Sequence, residues 1–175
     1  MYADEEGAAT RTRSSKAEMY QVMTPPPETP VGPQFALDTI DPLGPEVKIG
    51  STCRQDFVIG EVTDGNAPDT LYYRWYVDYS SQDPLFQTYV ASGKIAPAAD
   101  GSTVRHGPRY TLDATSRYLK DNTAGSTHWI EIIVADRPFD EDSTVLPKFK
   151  VVSEGGYWFY YAWHVTLTTD CLPAP

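Results

Sequence analysis

The sequence predicts an all-β sandwich, and three observations lead there. Short stretches of alternating apolar and polar residues recur from Phe35 onward. Clusters of turn formers separate them, the densest being TDGNAPDT at residues 63–70. The chain also carries 15 prolines and 12 glycines, which suits frequent turns and not long helices. Strand-like segments of this kind, repeated over roughly 140 residues, describe a sandwich, with a closed barrel as the alternative.

The elements follow in order. Residues 1–33 are charged and small, then proline-rich in TPPPETP (24–30). Clustered prolines favour polyproline II over helix or ladder, so this segment reads as a flexible tail or as an arm that docks on a neighbour. Residues 34–175 form the sandwich. VKIGS (47–51) and DFVIGEV (56–62) are its first strands. In LYYRWYVDY (71–79), Leu71, Tyr73, Trp75, Val77 and Tyr79 fall on one face, and Tyr72, Arg74, Tyr76 and Asp78 on the other. The first set is large and apolar and should face the core. The second holds both charges and should face water.

LFQTYVASGKIA (85–96) reads as a strand broken at Gly93, and residues 98–108 as a loop with a short strand. RYTLDA (109–114) is a strand, and TSRYLKDNTAGS (115–126) forms one helical turn before a loop. THWIEIIVAD (127–136) points Ile130, Ile132 and Val134 one way and Trp129, Glu131 and Ile133 the other. Pro138 stops that ladder. Residues 139–156 form an acidic insert in which VLPKFKVV (145–152) is an edge strand. The last strand, 157–169, sends Trp163, Val165 and Leu167 to the core and Trp158, Tyr160 and His164 to the opposite face.

The net charge is −10 with pI ≈ 4.6, and no basic patch dominates, which argues against nucleic acid and against an anionic membrane surface. No apolar run reaches the roughly 20 residues of a membrane helix, and residues 1–21 lack the apolar segment of a signal peptide. Export therefore requires a signal removed ahead of this numbering. Cys53 and Cys171 are not in metal-ligand spacing and sit near opposite ends of the domain. One disulfide in an oxidising compartment is the expectation, with two free thiols as the alternative.

The strands also carry a resemblance. YYRWYVDY, followed much later by GSTHWIEIIVAD, resembles the central strand pair of immunoglobulin-like domains of the polycystic-kidney-disease type in bacterial surface proteins. Tyr73, Trp75 and Asp78 match the first part, and Gly125, Ile130, Ile132, Val134 and Asp136 match the second. The Asp136–Phe139 run, DRPF, is similar to uncharacterised envelope lipoproteins of gliding soil bacteria. The resemblance spans residues 53–169 and departs in the long insert at 139–156 and in lacking a Gly-Asp-Gly turn. It implies an immunoglobulin-like sandwich in a non-catalytic envelope module, with no active site and a lipid anchor upstream.

No G-x-S-x-G context surrounds any serine, so nucleophilic catalysis has no motif behind it. His106 lies beside two arginines in VRHGPR, a setting for a small anion. His128 and His164 lie on opposite faces of neighbouring strands, and a third zinc ligand is missing. No spacing selects a carboxylate pair from Asp64, Asp69, Glu131 and Asp136. Asp64, Asn66 and Asp69 fall in one turn, and Asp136, Asp140, Glu141 and Asp142 in another. Oxygen ligands clustered on loops suit a structural Ca²⁺, the one cofactor the sequence suggests.

If the strands of Trp75, Ile132 and Trp163 are neighbours, their second face collects Tyr72, Arg74, Tyr76, Trp129, Glu131, Trp158 and Tyr160. An open aromatic face of this kind grips an envelope protein or a polysaccharide. The alternative is that the tail or the acidic insert covers it. The expected function is thus a binding or assembly module. A carbohydrate-binding module, and a structural subunit of a homo-oligomeric surface assembly whose tail docks on a neighbour, are the alternatives.

Overall fold

A computed structural model describes residues 46–143, 149–153 and 156–172. The proline-rich segment at 1–33 and the VLPK run at 145–148 lie outside the described residues. The protein is all-β, and no α-helix occurs among the described residues. Nine strands occur among the described residues: β1 (Glu46–Ile49), β2 (Arg54–Val58), β3 (Glu61–Thr63), β4 (Leu71–Val77), β5 (Ala91–Ile95), β6 (Val104–His106), β7 (Arg109–Asp113), β8 (Thr127–Ala135) and β9 (Trp158–Leu167).

One layer is a five-stranded sheet ordered β1-β9-β8-β4-β5. Its pairs are antiparallel except that β1 runs parallel to β9. Trp75 is level with Ile132, and Ile132 with Tyr161, so the expected neighbours are neighbours. The other layer is a ribbon in which β2 pairs with β7 and β3 with β6. The two short ladders continue one another. Ile59 N–H donates to Pro108 O (3.1 Å) and Gly107 N–H to Gly60 O (3.1 Å) across the gap between them. A side chain at Gly107 would collide with the Ile59 backbone, its Cβ falling 2.2 Å from Ile59 O, so glycine is required for this close approach.

The core lies between sheet and ribbon. Phe57, Ile59, Val62 and Leu112 from the ribbon pack with Leu71, Trp75, Val77, Ile130, Ile132, Val134, Trp163, Val165 and Leu167 from the sheet. Trp75 is fully buried and stacks on Trp163 (5.7 Å) and on Tyr110 (5.6 Å), which joins the layers through their rings. Cys53, just before β2, bonds to Cys171 beyond β9 with a Cα–Cα distance of 5.6 Å, closing a span of 118 residues. In the chain-entropy account a loop of that order is worth about 4–5 kcal/mol against the unfolded state.

Four local expectations are corrected. The strand expected over 85–96 is reduced to β5, because Asp83 caps a single 3₁₀ turn, Pro84–Phe86, ahead of it. Residues 115–126 form turns and bends and no helical turn, because Asp113, Ser116 and Asp121 each accept backbone N–H bonds locally. Tyr79 does not join the core face. Asp78 adopts a left-handed φ of 48°, which breaks the alternation, and Tyr79 turns to pack edge-on against Tyr76 at 5.6 Å. Finally, Arg74, Tyr76 and Asp78 are buried and do not face water.

Candidate functional site

The second face of the five-stranded sheet is built by alternation from the same strands as the core. In register across β4, β8 and β9 stand Tyr72, Ala135 and Trp158, then Arg74, Ile133 and Tyr160, then Tyr76, Glu131 and Ala162. Trp129 and His164 form the next pair, their rings 5.0 Å apart. The structure therefore brings all seven expected face residues onto one surface.

That surface is covered at its centre. The insert folds back from Pro138, its ends held by the Asp140 N–H to Val151 O bond (2.8 Å) and the Ser153 N–H to Pro138 O bond (2.9 Å). Phe139 and Val152 then pack on Tyr76, Ile133 and Ala135, with Tyr72, Tyr79, Tyr89, Trp158 and Tyr160 around them. Arg74, Tyr76 and Glu131 are at most 3% exposed, so the open patch is corrected to a buried one at these three positions. Tyr72, Trp129, Trp158 and Tyr160 stay half-buried.

Two cations are buried in this layer. Lys150, 1% exposed, pairs with Glu131 and lies over the rings of Tyr79 (3.9 Å) and Tyr76 (4.9 Å). Arg74 pairs with Glu141 and lies between Tyr89 (4.2 Å) and Phe139 (4.4 Å). Tyr76 and Arg74 meet at one backbone carbonyl: Phe149 O accepts from Tyr76 Oη and from Arg74 Nη1, both at 2.7 Å. Phe149 itself takes a left-handed φ of 64°. Burial, with the Glu131 charge adding to it, pushes the Tyr76 hydroxyl well above the ordinary phenol range; the same two causes, in the same order, raise Tyr160.

The turn expected to suit calcium has a different occupant. Arg105, on β6, points its guanidinium into residues 64–69. It donates to Asp69 O (2.5 Å), Ala67 O (3.0 Å) and Asn66 O (3.1 Å), and pairs with Asp64 Oδ2 at 3.2 Å. Asp64 Oδ1 accepts the Asn66 N–H. The Asp64 carboxylate and three backbone carbonyls of the turn thus converge on an internal cation. No cluster of three or more metal-ligating side chains occurs among the described residues. This also takes Arg105 away from His106, which is exposed and separated from it in orientation by strand alternation.

A third constellation was not anticipated. Ser126 Oγ lies 2.8 Å from His128 Nε2, and His128 Nδ1 lies 2.7 Å from Asp78 Oδ2. Asp78 is fixed by the N–H groups of Trp129 and Lys120, each at 3.0 Å. The row has the order of a nucleophile, base and acid. The N–H groups of Ala124, Gly125 and Ser126 are engaged by Asp170, Leu167 O and Thr123 O, so the donors beside Ser126 already have acceptors. The row ties the 120–126 loop to the end of β4. Its sequence signal was weak: S-x-H puts both side chains on one face of an extended chain, but Asp78 joins them only through its left-handed turn.

The chain matches no protein-family model, and no curated protein is similar to it. No helix among the described residues is long and apolar enough to cross a membrane.

Proposed function

We propose that this chain is a non-catalytic binding or assembly module of the bacterial cell envelope, an immunoglobulin-like domain whose aromatic sheet face recognises an extended, cation-bearing polypeptide. The observation that carries this reading is how residues 149–153 are held. The face grips a segment of its own chain, tied by a single β-bridge between Phe139 and Val152, through a lysine on Glu131 and the Tyr76 and Tyr79 rings, and through a backbone carbonyl on Tyr76 and Arg74. Recognition of a second polypeptide uses the same physics at the half-buried rim, Tyr72, Trp129, Trp158 and Tyr160. The disulfide supports an oxidising compartment, and the acidity suits a cationic partner. Export and a lipid anchor ahead of the described residues belong to the same proposal.

A second reading has its own observation. The Trp129 ring is only partly covered and lies against His164, beyond the described contacts of the insert. A flat, accessible indole suits a sugar ring, so a carbohydrate-binding module is the alternative.

Tryptophan fluorescence of the full chain tests both. It is titrated separately with oligolysine and with a soluble β-glucan. Saturable quenching by oligolysine that is lost in Trp129→Ala supports the polypeptide reading. Quenching by the glucan alone replaces it with the carbohydrate reading, and quenching by neither overturns both. Covalent attachment of a serine-directed phosphonate to Ser126 would overturn the non-catalytic part.

A further inference from the structure

We propose that Lys150 and Glu131 are joined in the mature protein by an intramolecular amide bond, Nζ to Cδ. The inference rests on geometry alone and holds whether or not the face binds a partner.

The two side chains are 0% and 2% exposed and in direct contact. Such a pair is costly to hold as ions, because both charges lose their hydration. A proton passing from the ammonium to the carboxylate gives a neutral amine and a neutral acid, which an apolar enclosure favours. These are the two species that condense. The lone pair of Nζ attacks Glu131 Cδ and the Nζ–Cδ bond forms. One C–O bond breaks, and the departing hydroxyl takes a proton released from the nitrogen and leaves as water. No oxidant and no cofactor enters.

The surroundings fix the amine from several sides. Phe149, the residue before the lysine, is held at its left-handed φ of 64°, a conformation a phenylalanine adopts only when its neighbours dictate it. Tyr76 Oη and Arg74 Nη1 both donate to its carbonyl. Lys150 is thereby delivered beneath the Tyr79 ring and beside Tyr76, with β8 presenting Glu131 directly opposite Tyr76. Holding two reactants in contact removes the entropic part of the barrier. The rings that exclude water also protect the product from hydrolysis. The result is a covalent tie between the central strand and the insert.

The experiment is the intact mass of the reduced full chain, followed by peptide mapping. The expected wild-type mass falls short of the sequence by one water. The expected map contains a branched peptide joining the segment of Glu131 to that of Lys150, with trypsin unable to cut after Lys150. Lys150→Arg keeps the charge but cannot condense, and should recover the full mass. Water loss also occurs at Asp-Gly sequences such as Asp64–Gly65, so the branched peptide decides. A wild-type chain at full mass, or a water loss mapped elsewhere, overturns the proposal.

Discussion

The two faces of the five-stranded sheet are built from the same strands, one residue out of phase, and they are buried by opposite means. On the ribbon side, Trp75, Ile132, Val134 and Trp163 exclude water without a charge among them. On the insert side, Tyr76 and Ile133 share their enclosure with Arg74, Glu131 and Lys150. Apolar contact is non-directional and tolerates small shifts of partner. Buried ions are stable only in the arrangement that pairs them. The first face therefore supplies stability, and the second specifies which segment may lie upon it and in what register.

The largest expected effect lies on the first face. Trp75→Ala should lower unfolding free energy by about 3–5 kcal/mol, since the ring is fully buried between two others. Urea denaturation of the oxidised chain measures it. A loss under about 1 kcal/mol would mean that sheet and ribbon are not joined through this residue.

On the second face, the single and double changes should diverge. Lys150→Met leaves Glu131 as an uncompensated buried carboxylate and should cost about 3–5 kcal/mol. Adding Glu131→Leu removes that charge and should recover the part of the loss due to the buried carboxylate, while the part due to the amide tie stays lost in both variants. A double variant as unstable as the single one would show that the covalent tie, and not the charge left behind, holds the layer. The same denaturation series reads both.

The same contrast explains what the sequence revealed. Alternation in residues 71–77, 127–135 and 158–167 was enough to place the strands and sort their two faces, because a period of two has one solution once a core face exists. The disulfide followed from cysteine count and position. What stayed hidden was set by contacts distant in sequence. Arg74 and Glu131 read as water-facing because a charge on an alternating strand usually is; their burial depends on Lys150 and Glu141 from the insert. The residues 64–69 read as a calcium loop because the oxygens were visible and Arg105, about four tens of residues on, was not identifiable as their cation. Tyr79 was misplaced by a single left-handed residue, Asp78, for which alternation has no signal. Lys150 and Ser126 carried no motif at all.

The smallest expected effect is on pH, and it also separates the faces. The Tyr76 hydroxyl is held well above its ordinary value of 10.0, chiefly by burial. Tyr110, stacked on Trp75 from the ribbon, is pushed up to about 12, also chiefly by burial. A phenol whose folded pKa exceeds its unfolded one contributes its full stability below the unfolded value, and loses it as pH rises from there through the folded value. Stability should thus be flat approaching pH 10.0 and fall above it, by up to about 1.4 kcal/mol per pH unit for each such phenol. Tyr76→Phe forfeits the bond to Phe149 O and starts from lower stability, yet its alkaline decline should be shallower. Tyr110→Phe should flatten the part of the decline that lies below about pH 12, where the upward shift of Tyr110 ends. Equal slopes in the wild type and in the Tyr76→Phe, Tyr160→Phe double variant would place the alkaline sensitivity on the ribbon side, and the insert-covered face would no longer be the one that responds to charge.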